Sequence, residues 1–158
     1  KPSWMQPTDI ALPLRETVAL VQGIAEAASV KIHEDYPLSP IRVNMDHNEM
    51  KQVFINIINN ALHAMPQGGE LGIRLDSVHD NELVVEFSDT GIGILPDNLD
   101  KIFEPFFSTK NSGDGTGLGL SISYRIVHNH GGRIETESEP GRGTVFRVFL
   151  PVYQESAL

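Results

Sequence analysis

The sequence predicts an α+β fold, a two-layer α/β sandwich in which a mixed sheet of about five main strands is covered on one face by three helices. Two observations lead there. Segments with apolar residues at helical spacing take turns along the chain with segments that alternate apolar and polar residues, and no internal repeat or linker interrupts them. The 158 residues, 40% apolar and 21% charged, also suit a single domain, which at that length buries about 70% of its unfolded surface.

From Ala11 to Ala28 the positions Leu14, Val18, Val21, Ile24, Ala25 and Ala28 recur at helical spacing, with Asp9 placed to cap the segment. Val30 to Ile32 and Ile41 to Val43 are short alternating runs separated by Asp35-Tyr36-Pro37 and Ser39-Pro40, which predicts two brief strands around a turn. The strongest helix follows. Asp46 and Glu49 form a capping-box variant, Met50, Val53, Phe54, Ile57, Ile58, Ala61, Leu62 and Met65 make its apolar stripe, and Pro66 with Gly68-Gly69 ends it. Glu70 to Val78 and Glu82 to Ser88 read as a hairpin joined at His79-Asp80-Asn81. Asp89 to Gly115 is glycine-rich and aperiodic apart from one or two helical turns over Asn98 to Phe103. A third helix is predicted over Gly117 to Asn129, stopped by His130-Gly131-Gly132, and Arg133 to Glu137 with Thr144 to Leu150 closes the chain as a hairpin.

Composition excludes several functions. Twelve Lys and Arg against 21 Asp and Glu give a net charge of −9, which repels nucleic-acid backbones and anionic membrane surfaces. With no cysteine there is no thiol catalysis, thiolate metal site or disulfide framework. No apolar run is long enough for a membrane span, and no secretory signal is evident. The opening Lys1 and the polar, proline-containing stretch after it lead to the expectation of a single domain, residues 1–158, excised from a longer protein, and the lack of cysteine is compatible with the expected cytoplasmic location.

Four clusters carry candidate chemistry. Opposite the apolar stripe of the central helix stand Gln52, Asn56, Asn59, Asn60 and His63, against asparagine's poor helix propensity. They are either a solvated face or a set of carboxamides, Asn60 at its border, able to hold Mg²⁺. Asp89 continues the Leu83, Val85, Phe87 face past its strand, either as a turn former or as a buried acceptor for a ligand's amino group, with Gly91 and Gly93 letting backbone approach a flat ring. Gly115-Thr116-Gly117-Leu118-Gly119-Leu120 leads into a helix, where amides and the helix dipole suit a phosphate chain, although the spacing is neither a P-loop nor a dinucleotide fingerprint. Phe103, Phe106 and Phe107 form either a satellite core or an apolar patch for a partner, beside a glycine-flanked lid whose Lys110 can reach a phosphate. His128 and His130, at a helix end, do not make a convincing metal pair.

Taken in order, these clusters resemble the catalytic ATP-binding domain of bacterial sensor histidine kinases, of the GHKL superfamily and its Bergerat-type fold. The resemblance runs over an N box (Gln52 to Ala61), a G1 box (Asp89 to Ile94), an F box (Phe103 to Phe107), a G2 box (Gly115 to Leu120) and Gly141-Arg142-Gly143-Thr144, with a short lid like that of nitrogen-regulation-type kinases. It implies that Asp89 accepts from the adenine amine, Asn60 ligates Mg²⁺, residues 117–120 supply phosphate-binding amides and Thr144 helps hold the adenine. His63 stands where many members carry a phosphate-contacting Lys. Asn56 stands where ATP-hydrolysing members carry a general-base Glu, and a carboxamide cannot take that proton. The implied function is donation of the γ-phosphate of Mg·ATP to a histidine on a separate dimerisation domain, with a response regulator downstream. A GHKL-type ATPase, a serine kinase and an inactive docking module are the alternatives. His33-Glu34 echoes the family's phosphoacceptor pair but lies beside a predicted strand and is rejected for that role.

Overall fold

Period-two alternation sets the sheet. In the computed structural model, which describes residues 4–79, 81–105, 107 and 119–155, β4 (Gly69–Val78), β5 (Glu82–Asp89) and β7 (Gly143–Pro151) bury alternate residues, and the edge strand β6 (Arg133–Glu139) half-buries every second one. Leu71, Ile73 and Leu75 of β4, Leu83, Val85 and Phe87 of β5, and Phe146, Val148 and Leu150 of β7 form one buried face. With β2 (Val30–Asp35) these strands make a five-stranded mixed sheet in the order β2-β4-β5-β7-β6, antiparallel throughout except where β2 runs parallel to β4.

The opposite face is charged and wet. Arg147 Nε donates to Glu86 at 2.9 Å and its Nη1 to Glu137 at 2.9 Å, while Arg133 reaches both Glu82 and Glu135 and lies over the Phe149 ring. Only one face of the sheet therefore demands cover. Three helices supply it: α1 (Ala11–Ala27) against β2, α2 (His47–His63) against β5 and α3 (Gly119–Asn129) against β6, with α2 packed on both neighbours. The predicted α+β sandwich is the observed one.

The central helix begins as its sequence requires, with Asp46 Oδ1 accepting from Glu49 N at 3.0 Å. Met50, Val53, Phe54, Ile57 and Ile58 are fully buried, and Phe54 meets Phe87 of the sheet at 5.8 Å between ring centres. His130 fastens α3 to this start. Its Nε2 accepts from Asp46 N at 3.1 Å while Nδ1 lies 2.8 Å from Ile126 O, which places the proton on Nδ1 and gives the ring a structural task.

Four expectations change. Residues 30–35 and 42–45 do form strands, but they do not pair with each other: β2 joins the main sheet, and β3 (Arg42–Met45) pairs with β1 (Gln6–Asp9), a strand in the polar opening stretch that was not anticipated. Ile24 faces solvent at 59% exposure although its spacing put it on the apolar stripe of α1. Asp9 does accept from Ala11 N at 3.1 Å, although Ile10 occupies the N-cap position. The turns predicted over Asn98 to Phe103 begin earlier, as a 3₁₀ turn at Pro96–Asn98 (η1). No helix among the described residues is long and apolar enough to cross a membrane.

Candidate functional site

At one end of the sheet the core face runs out of apolar residues. Strand register sets Leu71, Asp89, Thr144 and Ser138 side by side across β4, β5, β7 and β6, so a carboxylate and two hydroxyls occupy the last row. Asp89 is 6% exposed and Thr144 3%. Asp89 Oδ1 accepts from Gly91 N at 2.9 Å and Thr144 N at 3.2 Å, while Oδ2 has no hydrogen-bond partner among the described residues. Burial pushes the carboxyl up from its ordinary value, and the two amide donors partly offset that. Asp89 lines the cleft that opens over this row, and an acceptor atom left free there is the feature an amino group of a ligand would satisfy.

The loop after Asp89 is held on both sides. Thr90 Oγ1 accepts from Glu70 N at 3.0 Å, and Ile92 N donates to Ala64 O at the end of α2 at 2.9 Å. On the other side Gly141 N donates to Ile92 O at 2.8 Å, and Ile94 N donates to Ser138 Oγ at 2.7 Å. Ser138 Oγ lies 3.0 Å from Gly143 O and 3.1 Å from Thr144 Oγ1, so one hydroxyl ties the loop to β7. Glycine is required here by contact. A Cβ on Gly91 would sit 2.4 Å from Ala64 O, and one on Gly93, at φ +78°, 2.3 Å from Glu139 O. A cleft of about 610 Å³ opens over this row, lined by Asp89, Leu99, Thr136, Ser138, Arg142 and Thr144 among others. A larger cavity of about 720 Å³, between Arg42, Asn81 and Tyr153 at the far end of the sheet, includes none of the predicted site residues.

On α2, Asn56 and Asn60 share a face one turn apart. Asn60 is half-buried and makes no side-chain hydrogen bond with the described residues; it lies one turn before Ala64, where the loop docks. Asn56 is fully engaged with protein: Nδ2 donates to Gly119 O at 2.9 Å and Ser123 Oγ at 3.0 Å, and Oδ1 accepts from Gln52 Nε2 at 2.8 Å. Gly119 and Leu120 open α3 beside it. His63 is exposed in the last turn of α2. Phe103 is half-buried, 5.5 Å from the Tyr124 ring and 6.3 Å from the Phe146 ring, and Phe107 packs against the core. Lys110, Gly115, Thr116, Gly117, Leu118 and Phe106 lie outside the described residues. His33 sits on β2 with Nε2 3.2 Å from Glu70.

Two participants escaped the sequence reading. Ser123 is fully buried, yet on the helix wheel it is a polar residue three and four positions before Ile126 and Val127 on the core stripe, which is the signal that would have found it. Ser138 shares the inward parity of Ile134 and pairs with Thr144, a position visible once the register of the last hairpin is known.

Known proteins of this construction exist. The family model described as "Histidine kinase-, DNA gyrase B-, and HSP90-like ATPase" matches residues 45–154. Sporulation kinase E of Bacillus subtilis (strain 168) is 38% identical over 143 residues, covering 90% of this chain but 19% of its own length, so the chain spans about a fifth of that relative. The catalytic domain of histidine kinase ThkA superposes with a TM-score of 0.83 at 31% identity, covering 93% of this chain and 95% of that one. ThkA in complex with response regulator protein TrrA matches with a TM-score of 0.78 at 28% identity, over 93% of this chain and 41% of that one. Full-length ShkA in complex with AMPPNP gives a TM-score of 0.85 at 27% identity, over 99% of this chain and 33% of that one.

Proposed function

Since this chain belongs to the histidine kinase-, DNA gyrase B- and HSP90-like ATPase family, we propose that it holds Mg·ATP between the loop after β5 and the start of α3 and presents the γ-phosphate to a histidine of a dimerisation domain. The observation that carries this reading is the Asp89 carboxylate. Two backbone amides fix its Oδ1, which leaves Oδ2 at the cleft as an acceptor for the adenine amine. Thr144 and Ser138 flank it, Gly91 and Gly93 keep side chains out of the ring's plane, and Ile94 is anchored through its amide to Ser138. Toward the phosphates we assign Asn60 and His63 on α2 and Gly119 and Leu120 on α3, and, on sequence alone, Lys110 and residues 115–118, which lie outside the described residues.

The half-buried, unbonded carboxamide of Asn60 suits a hard cation that keeps most of its shell for water and phosphate, and Mg²⁺ when bound there would neutralise phosphate charge. Asn56 has no basic atom to activate water, and both its amide hydrogens are committed to α3. Asn56 therefore offers hydrolysis no general base, while transfer needs none at this position: the acceptor imidazole nitrogen bonds to the γ-phosphorus, the bond to the β,γ-bridging oxygen breaks, ADP leaves, and the imidazole's other N–H proton passes to a base of the acceptor domain or to water. The chain's work is positioning. AMPPNP bound to ShkA supports the nucleotide part of the reading, and the ThkA pairing with TrrA supports a response regulator as the later acceptor. Phe103, Phe106 and Phe107 are the candidate contact with the dimerisation domain. The chain's −9 charge does not oppose an anionic ligand held by amides and a helix start rather than by basic side chains.

The test is to mix the chain with a phosphoacceptor domain of a sensor kinase and ATP labelled on the γ-phosphate. Acid-labile label on histidine is expected, with little phosphate released when the acceptor is omitted. Label on serine alone, or rapid release without acceptor, would overturn the assignment.

A further inference from the structure

Asn56 is bound up in a way that no direct role in nucleotide contact requires. Its two amide hydrogens go to Gly119 O and Ser123 Oγ, and the Ser123 hydroxyl gives its one proton to Gly119 O at 2.9 Å. The three groups close a ring in which each donor has an acceptor. The amide's orientation is fixed as well: a carbonyl on one side demands Nδ2, which turns Oδ1 toward Gln52, whose Nε2 donates to it at 2.8 Å. Ser123 is fully buried, so its hydroxyl serves only this ring.

We infer that Gln52, Asn56 and Ser123 form a strut that sets the first turn of α3 relative to α2, and that they act on nucleotide affinity by positioning rather than by contact. This rests on the nucleotide reading above. The strut matters because the two halves of the phosphate site sit on different elements. Asn60 rides on α2 one turn beyond Asn56, and the amides at Gly119 and Leu120 ride on α3. The α2 helix is anchored by a fully buried stripe, whereas α3 buries only Ser123, Ile126 and Val127, so α3 is the more weakly held of the two. Bonding Gly119 O to Asn56 ties α3 to α2 at Gly119.

Two substitutions separate positioning from contact. Asn56→Asp keeps the shape but sets a carboxylate against the Gly119 carbonyl; Ser123→Ala removes one arm of the ring at a buried place and uses a good helix former. Affinities of the 158-residue chain and both variants are measured for ATP and for adenosine by titration, and amide hydrogen exchange is followed in the ligand-free chain. The expected result is ATP binding weaker by about tenfold for Asn56→Asp and about threefold for Ser123→Ala, adenosine binding changed less than twofold, and faster exchange across residues 123–127 in both. Unchanged ATP affinity in both variants overturns the strut, as does an equal loss for adenosine and ATP. A loss in Asn56→Asp with none in Ser123→Ala and no change in exchange would instead mark Asn56 as a direct contact. A parent chain that binds neither ligand fails the nucleotide reading itself and takes the strut down with it.

Discussion

If Asp89 accepts from the adenine as proposed, stability and binding pull in opposite directions there. Burial raises its carboxyl above the ordinary 3.8, so the folded chain holds that proton more tightly than the unfolded one. The sign follows: this group's contribution to stability is fully present below the unfolded value and is lost as pH rises through the raised one, so at neutral pH the ionised carboxylate works against the fold. Asp89→Asn removes the charge but keeps an oxygen for the amides of Gly91 and Thr144. That oxygen must face the two amides, which turns the NH₂ toward the ligand and sets donor against donor. The expected outcome is a Tm at pH 7 equal to or above that of the parent, a flatter pH dependence above about pH 4, and adenine-nucleotide affinity lower by about tenfold even without metal. Thermal melts across pH and a fluorescent-nucleotide titration check both halves. A variant that lost affinity and stability together would mean that Asp89 is a packing residue.

Among the elements, the β6–β7 turn shows how a glycine's neighbours decide its cost. Gly141, at φ +81°, has nothing within 4 Å of a built Cβ, whereas Gly143, at φ +112°, would place one 2.0 Å from Asp89 O. Gly141→Ala should cost only the left-handed backbone penalty, about 1–2 kcal/mol. Gly143→Ala should cost about 3 kcal/mol or more and weaken nucleotide binding, because the atom it strikes belongs to the site. Urea unfolding of the two variants, paired with titration, separates them. This turn also shows what was legible in advance. The hairpins, the central helix and the Asp89 face followed from period and turn chemistry, because those signals are local. The partner of β2 did not, because parallel pairing leaves no turn between the strands, and β1 did not, because a strand carrying Pro7 on a two-stranded edge lacks the usual pattern. Ile24 misled because helical spacing reports a stripe, not what covers it. Of the candidate site, Asp89 and the loop glycines are proposed from the residues and Thr144 from the family resemblance; the ring around Asn56 is not, since it depends on how α2 and α3 pack.

On the scale of the whole molecule, the single parallel pairing bears on the order in which the chain assembles and comes apart. β4 meets β5, and β6 meets β7, across short turns, but β2 reaches β4 only after β3 and all of α2 have intervened, Val30 lying opposite Gly69. Closing that longer loop costs more chain entropy before any contact repays it, so the hairpins should form early and β2 should dock late. Late docking at the edge of a sheet also means early release, and native-state hydrogen exchange should find amides of β2 opening at lower free energy than those of β5 and β7. Equal protection across all three would show one cooperative unit instead. If the edge does open alone, Asp89 and Thr144, which belong to the two later-opening strands, stay paired, and the chain can breathe at one margin while its proposed nucleotide site stays assembled.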